Sequence, residues 1–471
     1  MLFFLCICGL LCPSYLCAIS ENGFGVEWDQ SSRTCVVAAG NYARMHRLSN
    51  GALMVAYEGG GNVYTKKSMD NGKSWTMPAR AFAAFDYTLG NATCRVNCCN
   101  PEFVQLSNGN IVIACNYRPS VAEVYPYSIA VARSINAGLT YQSAKVVFQA
   151  APRSTEGCWE PAPLELPDGT LQLYFANESP YASTDEQEIS MISSLDKGVT
   201  WTTETTKVCF RAGHRDGMPV PIVSGNEILV AIEDNVAGQF NPYIVRRTIK
   251  KGWSPYVSGY SSDRYRAHAE ALPSNVYAGA PYLIRTDQGV HLLSYQTTVS
   301  AGIDWALSTM AVVASDSTGK GFRNVSYPFA VPAGKNALWN SLVDLGDGNV
   351  AAIASTNAFS ESIGIWMITG KVVNYDAVTE VDPVAIESPA VAYPNPFASQ
   401  LNIPYSVKEG FSLVEVVITN LLGGVVDRLV TCQDVAGSYS MEWQPAGLSE
   451  GAYLYTVCVN GKRATSGKAL H

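Results

Sequence analysis

The chain has 471 residues, more than one ordinary hydrophobic core accommodates, so its length predicts two or more domains. Charged residues make up only 15% of the sequence and the net charge is -8, which argues against nucleic acid or an anionic membrane surface as a partner. Gly, Tyr, Trp, Val and Ser are plentiful and long helix-periodic segments are missing, so the composition indicates an all-β protein.

The first 18 residues are strongly apolar and end in small residues, a pattern typical of a secretory signal peptide despite the absence of the usual basic start. The alternative is a membrane anchor, which Pro13 and the shortness of the apolar segment disfavour. No later segment of the sequence is long and apolar enough to cross a bilayer. We therefore expect the mature protein to be secreted or held at the cell surface, without a stable membrane span.

Four of the 13 cysteines lie in this signal segment, which leaves an odd number for the exported protein, so at least one thiol stays unpaired or pairs between chains. Cys94, Cys98 and Cys99 are close enough in sequence to raise the question of a zinc site. Only five histidines are present, and none stands at ligand spacing near this cluster, so a structural disulfide is the favoured interpretation. We predict no metal and no other cofactor.

A hairpin unit recurs six times between the signal segment and residue 373. Each copy has a tight Asn-Gly, Asp-Gly or related turn flanked by apolar, β-branched and aromatic residues, which is the sequence signature of a short β-hairpin. The turn glycines are 56–64 residues apart, and such a period holds about four short strands with their connections. They are Gly51, Gly109, Gly169, Gly225, Gly289 and Gly348.

Six four-stranded sheets can close radially into a ring, which protects the edges of all of them. The repeat therefore predicts a six-bladed β-propeller over residues 22–373. A row of separate β-sandwich domains is the alternative, and the even spacing of the turns disfavours it.

A second repeat begins 17–26 residues after four of the turn glycines. Residues 68–75 and 194–201 fit Ser-x-Asp-x-Gly-x-x-Trp, residues 134–141 fit with Asn and Tyr substituted, and residues 315–322 are a decayed copy. In such a turn Asp and Ser bond backbone amides, Gly takes a left-handed angle and the aromatic ring packs between strands. The repeat resembles the Asp-box of sialidase-like propellers, which implies a structural role on the outer hairpins, away from the catalytic face. The residues concerned are Ser68, Asp70, Gly72, Trp75, Ser134, Gly138, Ser194, Asp196, Gly198 and Trp201.

Beyond the propeller, residues 374–391 carry no blade motif and predict a linker, and residues 392–471 predict a small β-sandwich. Tyr-Pro-Asn-Pro-Phe at 393–397, Leu-Leu-Gly at 421–423, Gly-x-Tyr-x-Tyr at 451–455 and then Lys468 together resemble the C-terminal sorting domain of the Bacteroidetes type IX secretion system. This resemblance implies export across the outer membrane, with the type IX secretion machinery as a partner. A carbohydrate-binding sandwich is the alternative.

The inner hairpins of a propeller begin and end near one face at the central axis, so functional residues concentrate at those strand ends. Acids, arginines and aromatic residues gather there, which suits a sugar site because acids transfer protons or attack carbon while aromatic rings stack on sugars. A single acid at a strand end is more often a turn or surface residue. Two acids have drier surroundings, since Glu160 follows Trp159 directly and Glu233 ends an apolar strand. Such surroundings raise a carboxyl pKa towards that of a general acid.

Three parts of the sequence resemble glycoside hydrolase family 93. The first is 157–161, which contains Glu160, and the second is 215–220 with 231–233, which contains Glu233. The third is 279–282 with 293–297. That resemblance implies a six-bladed propeller that acts on an oligo- or polysaccharide as a retaining exo-α-1,5-L-arabinanase, with Glu160 and Glu233 as the catalytic pair. One glutamate would attack the anomeric carbon and the other would act as acid and base, which requires carboxyls roughly 5–5.5 Å apart. The two roles stay open. The other predicted substrate contacts are Arg44, Arg118, Trp159, Glu178, Arg215, Asp216, Tyr295 and Gln296.

Two alternative functions remain. A sialidase would surround a sugar carboxylate with arginines, and Arg44, Arg118 and Arg285 are the candidates. The Arg-Ile-Pro sequence typical of sialidases is absent, since Met45 and His46 follow Arg44. A non-catalytic glycan-binding propeller would keep the turns and the aromatic residues but would not need both glutamates.

Overall fold

The computed structural model describes residues 23–299, 304–377, 391–408, 412–420, 425–433, 435–445, 448–459 and 462–471. The predicted signal peptide, most of the predicted linker and the Leu-Leu-Gly segment at 421–423 lie outside these residues. The described residues up to 377 form one compact unit, and those from 391 onward form another. Within them every regular element is a β-strand or a short 3-10 turn, as the composition predicted. No helix among the described residues is long and apolar enough to cross a membrane.

The first unit consists of six sheets, each with four or five strands, which follow one another as six blades. Strands are numbered along the chain. Blade 1 contains β2 (Asn41–Arg47), β3 (Leu53–Gly59), β4 (Asn62–Ser68) and β5 (Ala79–Phe82). Blade 2 contains β6 (Phe85–Leu89), β7 (Ala92–Gln105), β8 (Ile111–Pro119), β9 (Ser128–Ser134) and β10 (Lys145–Gln149). Blade 3 contains β11 (Cys158–Glu165), β12 (Leu171–Asn177), β13 (Glu188–Ser194), β14 (Thr206–Phe210) and β18 (Val257–Ser258).

The remaining three blades follow the same plan. Blade 4 contains β15 (Asp216–Ser224), β16 (Glu227–Asp234), β17 (Asn241–Thr248) and β19 (Arg264–Arg266). Blade 5 contains β20 (Ala278–Arg285), β21 (His291–Thr297), β22 (Thr309–Ser315) and β23 (Arg323–Ser326). Blade 6 contains β24 (Ala337–Gly346), β25 (Asn349–Thr356), β26 (Gly364–Asn374) and β1 (Phe24–Val37). The short 3-10 turns are η1 (Ser179–Tyr181), η2 (Trp305–Leu307) and η3 (Tyr375–Ala377).

The start of the described chain closes the ring. Strand β1 is the outermost strand of blade 6 and pairs antiparallel with β26, so that Phe24 lies opposite Asn374. The innermost strands of consecutive blades contact one another all the way round, and β24 of blade 6 contacts β2 of blade 1. The predicted six-bladed propeller is therefore confirmed, and a row of separate sandwiches is excluded.

The six predicted hairpin turns join the two innermost strands of each blade. All six turn glycines have positive φ, between 63° and 86°, which other residues adopt only at a cost. The flanking apolar residues fill the space between neighbouring blades. Met54 of blade 1 and Phe103 of blade 2, for example, belong to one buried cluster. Burial of such side chains between blades is the main force that holds the ring together.

The second repeat forms outer turns that follow the third strand in blades 1, 2 and 3. In blade 1 the Ser68 hydroxyl donates to Asp70 Oδ1 (2.7 Å) and accepts the amide of Gly72 (2.7 Å). The ring of Trp75 then donates from Nε1 to the Gly72 carbonyl (3.1 Å). Equivalent serine-to-glycine contacts of 2.8 Å recur in blades 2 and 3. These turns lie at the blade end that also holds the turn glycines.

The cysteine cluster of blade 2 contains free thiols, so the predicted disulfide is wrong. Cys94, Cys98 and Cys99 all lie on β7. Four residues along a strand separate Cys94 from Cys98 by about 13 Å, too far for a disulfide, and neighbouring residues such as Cys98 and Cys99 point to opposite faces. Cys94 and Cys98 instead pack with Cys115 in the buried cluster between blades 1 and 2.

The second unit is a small β-sandwich, as predicted. Its strands are β27 (Leu401–Val407), β28 (Ser412–Asn420), β29 (Val425–Gln433), β30 (Gly437–Trp443), β31 (Ala452–Val459) and β32 (Lys462–Leu470). Strands β27 and β30 form one sheet, and the other four form the second. The two sheets share an apolar core around Trp443, whose Nε1 donates to Asp427 Oδ2 (2.8 Å).

Candidate active site

The innermost strand of every blade carries the same irregularity near its start. Each pairs with its neighbour through a register shift, and one residue other than glycine adopts φ of 48–50° at that point. A left-handed angle is costly for such residues, and β-bulges re-aim the side chains that they hold. In blade order these bulge residues are Tyr42, Asn100, Glu160, Met218, Ala280 and Trp339.

The bulge residues form the floor of a site at one face of the propeller. Those of blades 4, 5, 6 and 1 pack into one apolar cluster, although they are distant in sequence. Those of blades 2 and 3 are polar, and both contact Arg118, which donates to Asn100 Oδ1 (2.5 Å) and lies 3.6 Å from Glu160 Oε1. The floor therefore has an apolar side, suited to a sugar ring, and a polar side with charged groups.

Glu233 enters this site from the second strand of blade 4, where it pairs with Gly217 just before the bulge. Its carboxylate accepts the N–H of Ala280, the bulge residue of blade 5, at 2.8 Å. The Glu233 carboxylate fits into this position because two neighbouring residues are glycines. A Cβ at Gly217 would lie 2.9 Å from Glu233 Oε1, and a Cβ at Gly279 would lie 2.7 Å from Glu233 Oε2. A side chain at either glycine would displace the carboxylate.

Glu160 enters the site as the bulge residue of blade 3, with φ 48° and a side chain that is 18% exposed. The guanidinium of Arg118 lies beside it and over the ring of Trp159, 4.8 Å from the ring centroid. The indole of Trp159 packs in turn against Tyr127, with ring centroids 4.7 Å apart. These contacts fix the arginine next to the carboxylate on a rigid aromatic support.

Burial raises the pKa of both carboxyls to about 7. The positive charge of Arg118 opposes this rise at Glu160, and the Ala280 N–H opposes it at Glu233. The charge of Glu160 raises the pKa of Glu233 further, so the two carboxyls interact across the boundary between blades 3 and 4. Burial thus brings the pKa of both carboxyls towards neutral pH, where a carboxyl can act as a general acid or base.

Glu58 is a third carboxyl at this face. It pairs with Asn41, just before the bulge of blade 1, and so occupies the register position that Glu233 occupies in blade 4. Its carboxylate accepts the N–H of Asn100 at 2.6 Å, and burial raises its pKa against the opposing charge of Arg118. Glu58 is among the strand-end acids that the sequence places at this face, but sequence reasoning assigned it no role, although Val-Ala-x-Glu at 55–58 matches the same pattern at 230–233.

Four of the predicted substrate contacts lie around these acids. Arg118 and Trp159 flank Glu160, as described. Arg215 forms an ion pair with Glu178 and donates to Asp185 Oδ1 at 2.7 Å. The charges of Arg215 and Glu178 both act on the pKa of Glu160, so this ion pair borders the site. Contact between these side chains and a substrate remains a prediction.

Two of the predicted charged contacts are buried. Arg44 is 3% exposed, lies 3.5 Å from Glu102 Oε2 and donates to the Asn340 carbonyl at 2.8 Å. Asp216 is 0% exposed and accepts two hydrogen bonds from Arg264. Arg44 points towards the central axis, where its guanidinium lies over the rings of Tyr42 and Tyr282, and contact of Arg44 or Asp216 with a substrate stays a prediction.

Tyr295 and Gln296 are buried as well, and their predicted roles as substrate contacts stay predictions. Tyr295 is 2% exposed and packs edge-on against His268, with ring centroids 4.8 Å apart. Gln296 has both ends of its amide occupied, since Oε1 accepts the Trp339 N–H (3.0 Å) and Nε2 donates to the Tyr277 hydroxyl (3.1 Å). Gln296 thus bonds to the bulge of the next blade, as Glu58 and Glu233 do.

A separate cavity of about 300 Å³ follows the axis beyond the bulges. Its lining comes from the later residues of the innermost strands and includes His46, Glu102 and Tyr282. His46 Nε2 lies 2.8 Å from Glu102 Oε1, so these two lining residues are hydrogen-bonded to each other. The cavity continues towards the end with the turn glycines, away from Glu160 and Glu233.

The propeller resembles solved hydrolase propellers. An α-L-arabinofuranosidase from Fusarium graminearum, solved with an iminosugar inhibitor, matches with TM-score 0.51 and 17% identity over 72% of this chain and 97% of its own. The NanB sialidase from Streptococcus pneumoniae matches with TM-score 0.51 and 11% identity over 76% of this chain and 71% of its own. A protein of unknown function from Dyadobacter fermentans matches with TM-score 0.52 and 14% identity over 75% and 99%. At these identities the likeness establishes the fold.

The first unit is thus a β-propeller of the kind found in glycoside hydrolases. The second unit carries a family assignment of its own, because residues 391–469 match the secretion system C-terminal sorting domain. This domain points to secretion or attachment at the cell surface. A comparison with curated proteins gives no match to this chain.

Proposed function

We propose that the protein is a secreted, retaining, exo-acting glycoside hydrolase of the exo-α-1,5-L-arabinanase type, with Glu160 and Glu233 as its catalytic pair. The observation that carries this proposal is the placement of two partly buried carboxyls at the bulges of neighbouring blades, Glu160 as the bulge residue of blade 3 and Glu233 beside the bulge of blade 4, where burial raises the pKa of each. The fold of the Fusarium arabinofuranosidase and the resemblance of the surrounding segments to family 93 support the choice of arabinan as substrate.

In the proposed reaction one carboxylate attacks the anomeric carbon while the other carboxyl, in its protonated form, gives its proton to the leaving oxygen. The second carboxylate then takes a proton from water, and the resulting hydroxide displaces the first glutamate from the sugar. Arg118 favours the ionised form of Glu160, and the apolar side of the floor offers a surface for the sugar ring. A 2-fluoro arabinoside that traps the covalent intermediate would identify the attacking glutamate by mass spectrometry.

A sialidase activity receives less support from the same geometry. Recognition of a sugar carboxylate requires several guanidinium groups that converge on one point. Arg44 is buried against Glu102, and Arg285 lines the axial cavity beyond the bulges. Of the three candidate arginines, Arg118 lies 3.6 Å from Glu160 Oε1, while Arg44 acts on the pKa of Glu160 through its charge and pairs with Glu102. A pure glycan-binding protein would not need two carboxyls with raised pKa.

The test is incubation of the purified protein with linear arabinan and, separately, with sialyl-lactose, followed by analysis of the released sugars. Release of a short arabinose product from the chain end, with retained anomeric configuration by NMR, is the expected result. Release of sialic acid would replace the proposal with a sialidase. No release from either substrate would favour a binding protein or another glycan.

A further inference from the structure

A small cavity of about 40 Å³ lies between blades 2 and 3, beside their outer turns. Two of the described residues that line it carry a positive charge, Arg133 near the end of β9 and Lys145 at the start of β10, and none carries a negative charge. Gln142, Ser143 and Trp201 supply further polar groups. One water needs about 10–15 Å³ of such volume, so the cavity accommodates a few waters or one anion with several oxygens.

Two hydrogen-bond donors in this lining are buried and have no partner within the described chain. They are Nε of Arg133 and Nε1 of Trp201. A buried N–H group without an acceptor costs free energy, so such groups in folded proteins usually meet a partner. Lys145 Nζ makes a long hydrogen bond of 3.4 Å to the Val199 carbonyl, which uses one of its three N–H groups. The lining therefore offers donors from two blades to an acceptor that the protein itself does not supply.

The boundary between blades 1 and 2 has the same plan, but there the basic side chain binds a protein group. Lys67 corresponds to Arg133, because each directly precedes the serine of its outer turn. Lys67 Nζ donates to the carbonyl of Ala137 in the next outer turn at 2.9 Å. The repeat itself thus does not dictate an unpartnered donor at this position.

The aromatic residue of the turn differs between the two boundaries in the same way. Tyr141 is the last residue of its outer turn, as Trp201 is in blade 3, and the Tyr141 hydroxyl is hydrogen-bonded to Thr65 Oγ1 at 3.1 Å. Val131 occupies the position in blade 2 that Thr65 occupies in blade 1, three residues before the serine. Valine has no polar side-chain atom, so the ring N–H of Trp201 loses this partner. The cavity between blades 2 and 3 therefore combines two substitutions that both favour an external acceptor.

We propose that this cavity binds a phosphate group, either as the free ion or as the ester group of a lipid headgroup. A tetrahedral oxyanion accepts hydrogen bonds from several directions, and a guanidinium binds phosphate oxygens well. The charges of Arg133 and Lys145 compensate the charge of the anion, although the whole chain carries a net charge of -8. The cavity lies beside the outer turns, at the end of the propeller opposite the carboxyl pair, so this inference does not depend on the proposed function.

The test is calorimetric titration of the full chain with inorganic phosphate, at an ionic strength that sodium chloride keeps constant. We expect the wild-type protein to bind phosphate. Arg133→Met and Lys145→Met should each weaken binding by about 10-fold or more, because each removes a charge-assisted hydrogen bond. Lys67→Met is the matched control and should bind phosphate as the wild type does, since Lys67 occupies the corresponding position at the boundary between blades 1 and 2.

Thermal unfolding in chloride checks that each variant folds. Lys145 is exposed, so its variant keeps the test decisive even if Arg133→Met fails to fold. Absence of phosphate binding by the wild-type protein would overturn the inference. Binding that stays equal to wild type in the folded Arg133→Met or Lys145→Met variant would overturn it as well.

Sedimentation with vesicles of phosphatidylglycerol and phosphatidylcholine distinguishes the two sources of the phosphate group. A lipid is one of them because the outer turns of blades 2 and 3 expose Ile135 by 64% and Leu195 by 84%. Vesicle binding that inorganic phosphate displaces and that Lys145→Met weakens would identify the headgroup as the source. Binding of inorganic phosphate without binding of vesicles would identify a soluble phosphate, and both results support the site. Vesicle binding by a protein that does not bind inorganic phosphate would overturn it.

Discussion

Glu58 and Glu233 occupy the same register position in blades 1 and 4, which lie opposite each other in the ring. Each accepts the N–H of the bulge residue in the next blade, from Asn100 at 2.6 Å and from Ala280 at 2.8 Å. Gln296 accepts the corresponding bond in blade 5 with a neutral amide. The bond itself therefore does not require a carboxylate, and the negative charges at Glu58 and Glu233 are available for a further role.

Replacement of Glu58 by Gln separates these two roles. The amide oxygen keeps the bond to Asn100, as Gln296 shows for its own blade, and burial raises the pKa of Glu58, so we expect a melting temperature at neutral pH that does not fall. The loss of a charged hydrogen-bond acceptor at the polar side of the floor should lower kcat/KM on arabinan by roughly 10-fold. Steady-state kinetics and thermal unfolding of the variant check this. Unchanged kinetics would limit Glu58 to holding the blades together.

Glu160→Gln and Glu233→Gln should each lower turnover by about three orders of magnitude or more, since each removes a group that the proposed reaction cannot replace. The fold should persist, as judged by circular dichroism. Glu227→Gln is the matched control because Glu227 starts the same strand as Glu233 but pairs with Arg246 at the far end. Activity retained by either catalytic variant would remove that residue from the mechanism.

The same substitution at Glu233 should stabilise the protein in a manner that depends on pH. The pKa of Glu233 rises from 4.5 to about 7 on folding, so the ionised form disfavours the folded state. This penalty is absent below pH 4.5, grows between the two values and is complete above pH 7. Glu233→Gln should therefore unfold with a free energy about 1–3 kcal/mol higher than wild type at pH 8 and equal to wild type at pH 4. Denaturant titrations at both pH values measure the difference, and the same difference at both would refute the shift.

Arg118→Met should move one limb of the pH profile. Arg118 lowers the pKa of Glu160, so removal of the guanidinium raises it. The limb of kcat/KM that reports Glu160 should accordingly shift to higher pH, whichever role that residue has. Arg95→Met is a control, because Arg95 on β7 forms an exposed ion pair with Asp86 on β6 in the same blade. A limb that stays in place in Arg118→Met would contradict the pairing of Arg118 with Glu160.

The outer turns should contribute stability without any effect on activity. Ser68→Ala removes the bonds from the hydroxyl to Asp70 and Gly72, and we expect a loss of about 1 kcal/mol in the free energy of unfolding. Kinetic constants should not change, since the turn lies at the opposite end of the blade from the carboxyl pair. Met69→Ala in the same turn is a matched control, because Met69 is 71% exposed. Lost activity in Ser68→Ala, at a temperature where it is folded, would argue against a purely structural role.

The hairpins could be predicted from the sequence because the turn chemistry is local. Glycines such as Gly51 and Gly169 adopt the required positive φ without help from distant residues. The bulges could not be predicted, since Tyr42 and Trp339 belong to residue types that rarely take a left-handed angle. That angle follows from the packing of six strands around one axis, which no single segment of the sequence encodes.

The site was predictable only in part for a related reason. Charged residues at strand ends were expected to face the substrate, and Arg118 does border the carboxyl pair. Arg44 and Asp216 are buried instead because each meets a partner from another strand, Glu102 and Arg264 respectively. Such pairings depend on the direction in which each side chain leaves its strand, and a one-residue change in register reverses that direction.

Because Phe24 pairs with Asn374, the propeller ring cannot close until nearly all of its strands have been synthesised. Strand β1 leaves the ribosome before the five blades that follow it, and its partner strand β26 leaves only after them. Contacts with such long sequence separation form slowly, and until they form both β1 and β26 offer unpaired backbone groups to other molecules. A truncated translation product that lacks β26 would leave β1 unpaired permanently, so nascent and incomplete chains are the forms that most need protection by chaperones.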